Sequence, residues 1–346
     1  MLKRLTMLLA AFALMIGILA GCGNNDNKSD GSGKTIDELK VSFVPSKDPD
    51  EIITATEPLK KLLKDELKKL GYNVKKVSID VGTTYEAVGE ALSSGTTDVG
   101  LIPGGTYVLY DDGADVILTA TRAGLSNDSK NPKDWNDNKP TKPTDEQVTY
   151  YKGLIIAGPS PKGQELAKKV NNGEKLTWDD LNSANWAVMG SSSSSGYIYP
   201  TLWLQDNYKK NITDLAHVVQ SDSYGSSFAR LAAGQVDVLT VYADGRRDYE
   251  KDWTTKFGGK HSIWDDTNVI GVTDNIYNDT VSVSKNSKIM TDDFKKALQK
   301  AFINIAKTDE GKKVIAIYSH EGYKPAKSSN YDAERKAQQL LQSLKK

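Results

Sequence analysis

The apolar positions of the chain switch between two periods. Leu39 to Val44, Val74 to Val81, Asp98 to Ile102 and Asp115 to Thr121 are short, β-rich runs of the kind that form strands. Between them, Leu59, Leu62, Leu63, Leu67 and Leu70 share one helical face, with Pro58 near the start and Gly71 just past the end, which predicts a well-marked helix. Tyr85 to Leu92, closed by Gly95, predicts a shorter one. Strand, helix, strand, helix, strand is the order of a parallel α/β sheet. From Ala123 to Gln147 the pattern lapses into mostly polar residues, which predicts a long surface loop that Trp135 either pins to the body, the favoured role, or carries over a cleft.

A second set of elements repeats the plan. Tyr150 to Ala157 is a strand at a first crossing, Pro161 to Val170 a helix, Trp186 to Met189 a strand, Leu215 to Gln220 another, and Ser226 to Ala233 a helix before the strand of Gln235 to Leu239. Gly-x-x-Asp-Val follows a helix twice, at Gly95–Val99 and at Gly234–Val238, an echo that suits two lobes of similar build. Val281-Ser282-Val283 marks the return. Helices capped by Thr291 and Thr308 and an amphipathic helix from Tyr331 to Leu344 complete the chain. The expected architecture is α/β in two lobes, 39–151 with 282–346 and 152–281, joined by two crossings with a ligand cleft between them.

The chain is organised around Gly190-Ser191-Ser192-Ser193-Ser194-Ser195-Gly196-Tyr197-Ile198-Tyr199-Pro200, which lies where the strand of Trp186 hands over to a helix. There the first helical turn exposes N–H groups without intrahelical partners, and serine hydroxyls add donors without bulk or charge, so the junction favours an anion. Serine runs are usually flexible linkers, but this one sits inside an element junction. It lacks the Gly-x-Ser-x-Gly spacing of a hydrolase nucleophile, and Gly196 is followed by Tyr197 rather than the Lys of a phosphate loop. Anion capture without chemistry remains.

Lysine plus arginine balances aspartate plus glutamate at 45 each, so no global field favours nucleic acid. Met1 to Arg4 is basic, an apolar stretch follows to Ala20, and Cys22, the one cysteine of 346 residues, comes right after Ala20-Gly21. This reads as an export signal over 1–21 and resembles the lipobox of bacterial lipoproteins, which implies lipidation at Cys22, a flexible tether over 22–38 and a location on the outer face of a cell membrane. A lone cysteine excludes an internal disulfide. His217, His261 and His320 lack the spacing of a metal site, which speaks against a phosphoesterase; a surface adhesin is a further alternative.

Four segments carry a resemblance to a known family: Ser193-Ser194-Ser195-Gly196-Tyr197-Ile198-Tyr199-Pro200, the Tyr85 stretch before Gly95, Gly234–Val238, and Gly322-Tyr323-Lys324-Pro325. From about Lys40 to Pro325 the chain resembles the substrate-binding proteins of phosphonate importers. The resemblance implies the type II periplasmic-binding architecture, no enzymatic activity and no cofactor, and a monomer that serves an ABC permease and ATPase. It implies a phosphonate ligand, or alternatively phosphite, phosphate or another small oxyanion. It places Ser193, Ser194 and Ser195 on the anion, Tyr85 closing from the first lobe, Tyr150 near the crossing, and Asp244 and Asp279 on an amino group of the substrate. Tyr224 stands where the family often has a histidine; its hydroxyl donates one hydrogen bond but does not become cationic near neutral pH. Arg122, Arg246 and Arg247 are expected to be solvated.

Overall fold

The computed structural model describes residues 34–344; the signal segment, Cys22 and most of the tether lie outside them. Among the described residues twelve strands form two sheets. The first contains β1 (Lys34–Phe43), β2 (Tyr72–Val81), β3 (Val99–Ile102), β4 (Ala114–Leu125), β5 (Pro143–Val148), β11 (Thr280–Ser284) and β12 (Gly322–Pro325), in the order β12-β4-β11-β3-β1-β2 with β5 on β4. The second contains β6 (Tyr150–Ala157), β7 (Trp186–Val188), β8 (Val218–Gln220), β9 (Val238–Tyr242) and β10 (Asn268–Tyr277), in the order β10-β6-β9-β7-β8. The chain passes between sheets at Thr149 and again at Asn278–Asp279, so the mixed α/β, two-lobed architecture expected from the sequence is the observed one. β1 pairs in parallel with β2 and β3, and β7 with β8 and β9, as the strand–helix alternation requires.

The crossings fall at 149 and 278–279 instead of 151/152 and 281/282, and three element boundaries also differ from the sequence reading. β1 starts at Lys34, inside the expected tether, because Ile36 and Leu39 both find burial against the sheet. The first long helix runs Pro49–Lys69 and therefore carries Pro58 in its interior: Asp48 supplies the cap, accepting from the amides of Asp50 and Glu51, and Pro49 the fixed first dihedral. Ile52, Leu59, Leu63 and Leu67 on its inner face are at most 1 % exposed, and at roughly 1.5–3 kcal/mol for each buried side chain that face outweighs one interior proline. The third difference is in the loop of 123–147, where β4 runs on to Leu125 and β5 pairs back on it. What remains between them is clasped to the second lobe. The Asn136 amide donates to the Val269 carbonyl and accepts from the Val269 amide, at 2.9 and 2.7 Å, imitating a strand neighbour of β10. Trp135 is buried, as its expected pinning role requires.

The Gly-x-x-Asp-Val echo has a shared structural use. Asp98 accepts the Lys40 amide at 2.8 Å, and Asp237 accepts the Asn185 amide at 2.7 Å; in each lobe the carboxylate receives a backbone N–H beside the neighbouring parallel strand. The C-terminal helix Asp332–Leu344 bridges the two halves. Tyr331, just ahead of it, donates to the Asn278 carbonyl in the crossing at 2.9 Å, and Gln338 donates to the Gly105 carbonyl at 3.4 Å. Ala337 and Leu341 pack with Ile198, Tyr199 and Ile276 of the second lobe.

Candidate ligand site

The facing edges of the two sheets enclose a cavity of about 50 Å³. In the first lobe its walls come from the residues just after β1 and β3 and from the far end of β4, and in the second from the residues after β7, the end of β9 and the start of β6. This is where an open α/β sheet leaves a crevice and aims its helix starts.

Three helix starts meet there. Tyr85 is the first residue of the helix Tyr85–Ser94, capped by Thr84, and Tyr224 the first residue of Tyr224–Ala232, capped by Ser223. The third follows β7: a π-type turn, Ser194–Ile198, capped by Ser193, leads into the helix Tyr199–Tyr208. The Tyr224 hydroxyl lies 3.1 Å from Ser193 Oγ and 2.9 Å from Ser195 Oγ. Burial raises its pKa, partly offset by the two serines, and Tyr85, Tyr151 and Tyr242 are pushed well above the ordinary value, again chiefly by burial. All four phenols are therefore neutral donors at physiological pH.

The lobes touch directly around the cavity. The Gly105 amide donates to Ser194 Oγ, the Thr106 hydroxyl donates to the carbonyl and hydroxyl oxygens of Ser192, and the Tyr224 amide donates to the Ser46 carbonyl. Ser193, Ser194 and Ser195 are 2, 1 and 3 % exposed, so the arrangement is a closed one.

Opposite the serine turn stands Arg122, which sequence reasoning left to solvent. Its Nε donates to Asn278 Oδ1 at 2.7 Å, its Nη2 to Asp279 Oδ2 at 2.8 Å, and its guanidinium lies 4.3 Å from the centre of the Tyr151 ring. His320 Nε2 sits 3.1 Å from the same Asp279 oxygen. Burial works against the Asp279 carboxylate, but Arg122 and His320 outweigh it and hold its pKa below the ordinary value. Lys47 is the other cation in the lining, and it is paired with Asp248 at 3.4 Å. Each cation at the cavity thus already faces a carboxylate, and an incoming anion meets oriented donors rather than a large excess of positive charge. Val44, Leu101, Ile102 and Ile317 add apolar surface to the lining.

Of the residues expected at the site, Ser193, Ser194, Ser195, Tyr85, Tyr224 and Asp279 share this lining, and Tyr150 and Asp244 are not part of it. For Tyr150 the reason is strand parity: successive side chains of β6 point to opposite faces, so Tyr151 enters the cavity while Tyr150 faces outward beside Asp128. Asp244 is fully buried and engaged. Its carboxylate takes Nε and Nη2 of Arg246 at 3.0 and 2.8 Å and the Thr141 hydroxyl at 3.3 Å, and Arg246 Nη2 also donates to the Trp135 carbonyl. This pair clasps the 126–142 loop, so the expected acidic couple with Asp279 is not assembled. Sequence reasoning also missed Tyr151, Tyr242, Tyr318 and Lys47. Among the described residues no cluster of histidine, cysteine and carboxylate side chains could hold a metal ion.

Two α/β lobes, two adjacent crossings and a closed cavity at the facing strand ends define a bilobal substrate-binding protein. The chain belongs to the family of periplasmic substrate-binding proteins of phosphonate ABC transporters, whose family model matches residues 41–331. Members of that family are binding proteins, not enzymes, and hand a small ligand to a permease driven by an ATPase. No curated protein sequence matches the chain. Among solved structures it is similar to a binding protein component of an ABC phosphonate transporter, PA3383 from Pseudomonas aeruginosa, at 15 % identity over 88 % of this chain and 87 % of that one, with a TM-score of 0.64. PhnD1 from Prochlorococcus marinus, solved with methylphosphonate, aligns at 16 % identity over 88 % and 98 %, TM-score 0.63. XAC2383 from Xanthomonas citri, solved with ATP, aligns at 13 % identity over 89 % and 99 %, TM-score 0.60. At these identities the likeness concerns the fold.

Proposed function

We propose that this protein captures a small alkylphosphonate in the cavity between its lobes and, anchored by lipid at Cys22, presents it to an importer at the outer face of the membrane. The observation that carries this reading is a cavity lined both by a hydroxyl-bearing helix start with a tethered guanidinium and by the apolar side chains of Val44, Leu101, Ile102 and Ile317. Its 50 Å³, at about 10–15 Å³ for each enclosed water, suits an oxyanion with one short apolar substituent. Ser193, Ser195, Tyr224 and Arg122 supply donors for the oxygens, and Tyr85 and Tyr151 close over them. Charge-assisted hydrogen bonds contribute on the order of 1.5–3 kcal/mol each, and three or four of them, after the costs of association, leave the roughly 8 kcal/mol of a micromolar complex. Phosphite or phosphate in the same transport role is the second reading; neither has a carbon substituent to use the apolar surface. With Asp244 committed to Arg246, the basis for a preference for aminoalkyl ligands is reduced to Asp279.

Isothermal titration with methylphosphonate, 2-aminoethylphosphonate, phosphite and inorganic phosphate tests the assignment. Methylphosphonate is expected to bind most tightly, and Ser195→Ala to weaken it at least tenfold. Binding of none of the four sinks the reading. Incorporation of labelled fatty acid that survives Cys22→Ala removes the anchor.

A further inference from the structure

We propose that His320 is a positioning residue for ligand capture: from behind the cavity wall it fixes the Asp279 carboxylate, which in turn holds Arg122 toward the anion. The inference rests on the oxyanion reading of the cavity and adds a residue to it that does not line the cavity. His320 arrives by a specific route. Ser319 adopts a left-handed conformation, φ 58°, which turns the chain after the helix Asp309–Ile315, and the next residue docks on β4 when the Glu321 amide donates to the Thr121 carbonyl at 2.8 Å. The imidazole is thereby placed beside the strand that carries Arg122, 3 % exposed, with the rings of Tyr318 and Tyr323 edge-on at 5.8 and 5.9 Å.

Its two nitrogens have unequal surroundings. Nε2 is 3.1 Å from Asp279 Oδ2, the oxygen that also accepts Arg122 Nη2 at 2.8 Å. Nδ1 is buried and has no hydrogen-bond partner. A proton on Nε2 donates to a carboxylate, whereas a proton on Nδ1 would be stranded, so the neutral ring carries its hydrogen on Nε2. Held from two sides, the Asp279 carboxylate is restricted in its rotamer, and Arg122, tied additionally to Asn278 and stacked on Tyr151, is restricted in its direction. Asp279 and Arg122 are the charged groups facing the ring, and Tyr318 and Tyr323 the other titratable ones. Burial lowers the histidine pKa and Asp279 partly restores it, so the ring is neutral at pH 7. A second proton, added below the ordinary histidine range, would let the imidazolium balance Asp279 by itself and free more of the Arg122 charge for the ligand. Anion affinity should therefore rise on acidification by more than the ligand's own titration accounts for.

The test compares wild type, His320→Gln and His320→Phe by titration with methylphosphonate from pH 5 to 8. Glutamine can donate to Asp279 but cannot titrate; phenylalanine fills the space and can do neither. Phenylalanine should weaken binding about tenfold, the loss expected for one net charge-assisted bond, glutamine should restore most of that loss, and the ratio of wild-type to glutamine affinity should grow at low pH. Full affinity in the phenylalanine variant, or a wild-type to glutamine ratio independent of pH, overturns the proposal. A separate readout needs no ligand: the ring nitrogen shifts of His320 at pH 7 should report the Nε2-protonated tautomer and should move in Arg122→Gln. A Nδ1-protonated ring overturns the positioning role even where binding is normal, while absence of oxyanion binding with the expected tautomer defeats the transport reading and leaves the His320–Asp279–Arg122 chain standing.

Discussion

Ser194 Oγ accepts the Gly105 amide at 3.0 Å, and together with the Thr106 hydroxyl on Ser192 that bond joins the serine turn of one lobe to a helix start of the other. The approach is as close as backbone allows. A Cβ on Gly105 would stand 2.3 Å from Ile198 Cδ1, 2.8 Å from the Ser192 carbonyl and 3.0 Å from Ser194 Oγ. These neighbours belong to the serine turn of the second lobe, so the collision falls on the contact between the lobes.

Gly105→Ala is therefore expected to leave both lobes folded and to hold them apart. Small-angle scattering should show a larger radius of gyration in the presence of methylphosphonate than wild type has, and affinity should drop tenfold or more. Wild-type compaction and affinity would show that the contact yields without cost.

The Asp244–Arg246 pair is expected to matter for the fold rather than the ligand. Its side chains are 0 and 1 % exposed, and removing one partner of such a pair leaves a buried charge, a loss of about 3–5 kcal/mol. Asp244→Ala should melt several degrees lower and expose the 126–142 loop to proteolysis, because the Trp135 carbonyl and Thr141 lose their anchors. A stable, protease-resistant variant with weakened binding would return Asp244 to the ligand.

Glu334, buried in the C-terminal helix, has its pKa raised by burial to about 8 from 4.5, with the Tyr199 hydroxyl offsetting part of the rise. The folded state then holds a proton that the unfolded chain has released between those two values, so stability falls as pH rises through that window and levels off above it. Tyr199, Tyr331 and Asp279 are the titratable neighbours. Thermal melts at pH 5, 7 and 9 should show Glu334→Gln stabilised relative to wild type at the two higher values and close to it at pH 5. A constant difference across the series would mean that the carboxyl is not protonated in the fold.

Most of the architecture was legible because it rests on local signals. Helical leucine spacing, capping threonines and the Gly-x-x-Asp-Val echo each act within a few residues. What was not legible depends on partners distant in sequence. Pro58 looked like a helix start until Asp48 and Pro49 supplied a better one. Arg122 looked solvated because its partners, Asn278 and Asp279, are more than 150 residues away in the chain. Tyr150 and Tyr151 differ only in strand parity, which a one-residue uncertainty in register reverses. Asp244 and Asp279 were equivalent as letters, and only packing shows that one clasps a loop while the other borders the cavity.

The Asn136 clasp on β10 has a mechanical consequence. A segment rooted in the first lobe grips the outermost strand of the second sheet, which adds to the two covalent passages a fastening made of side-chain and backbone hydrogen bonds. Fastenings spread along a seam resist shearing more than turning. In a hinged opening such a clasp would narrow the path of closure and bring Tyr85 and Tyr224 back to the same meeting point.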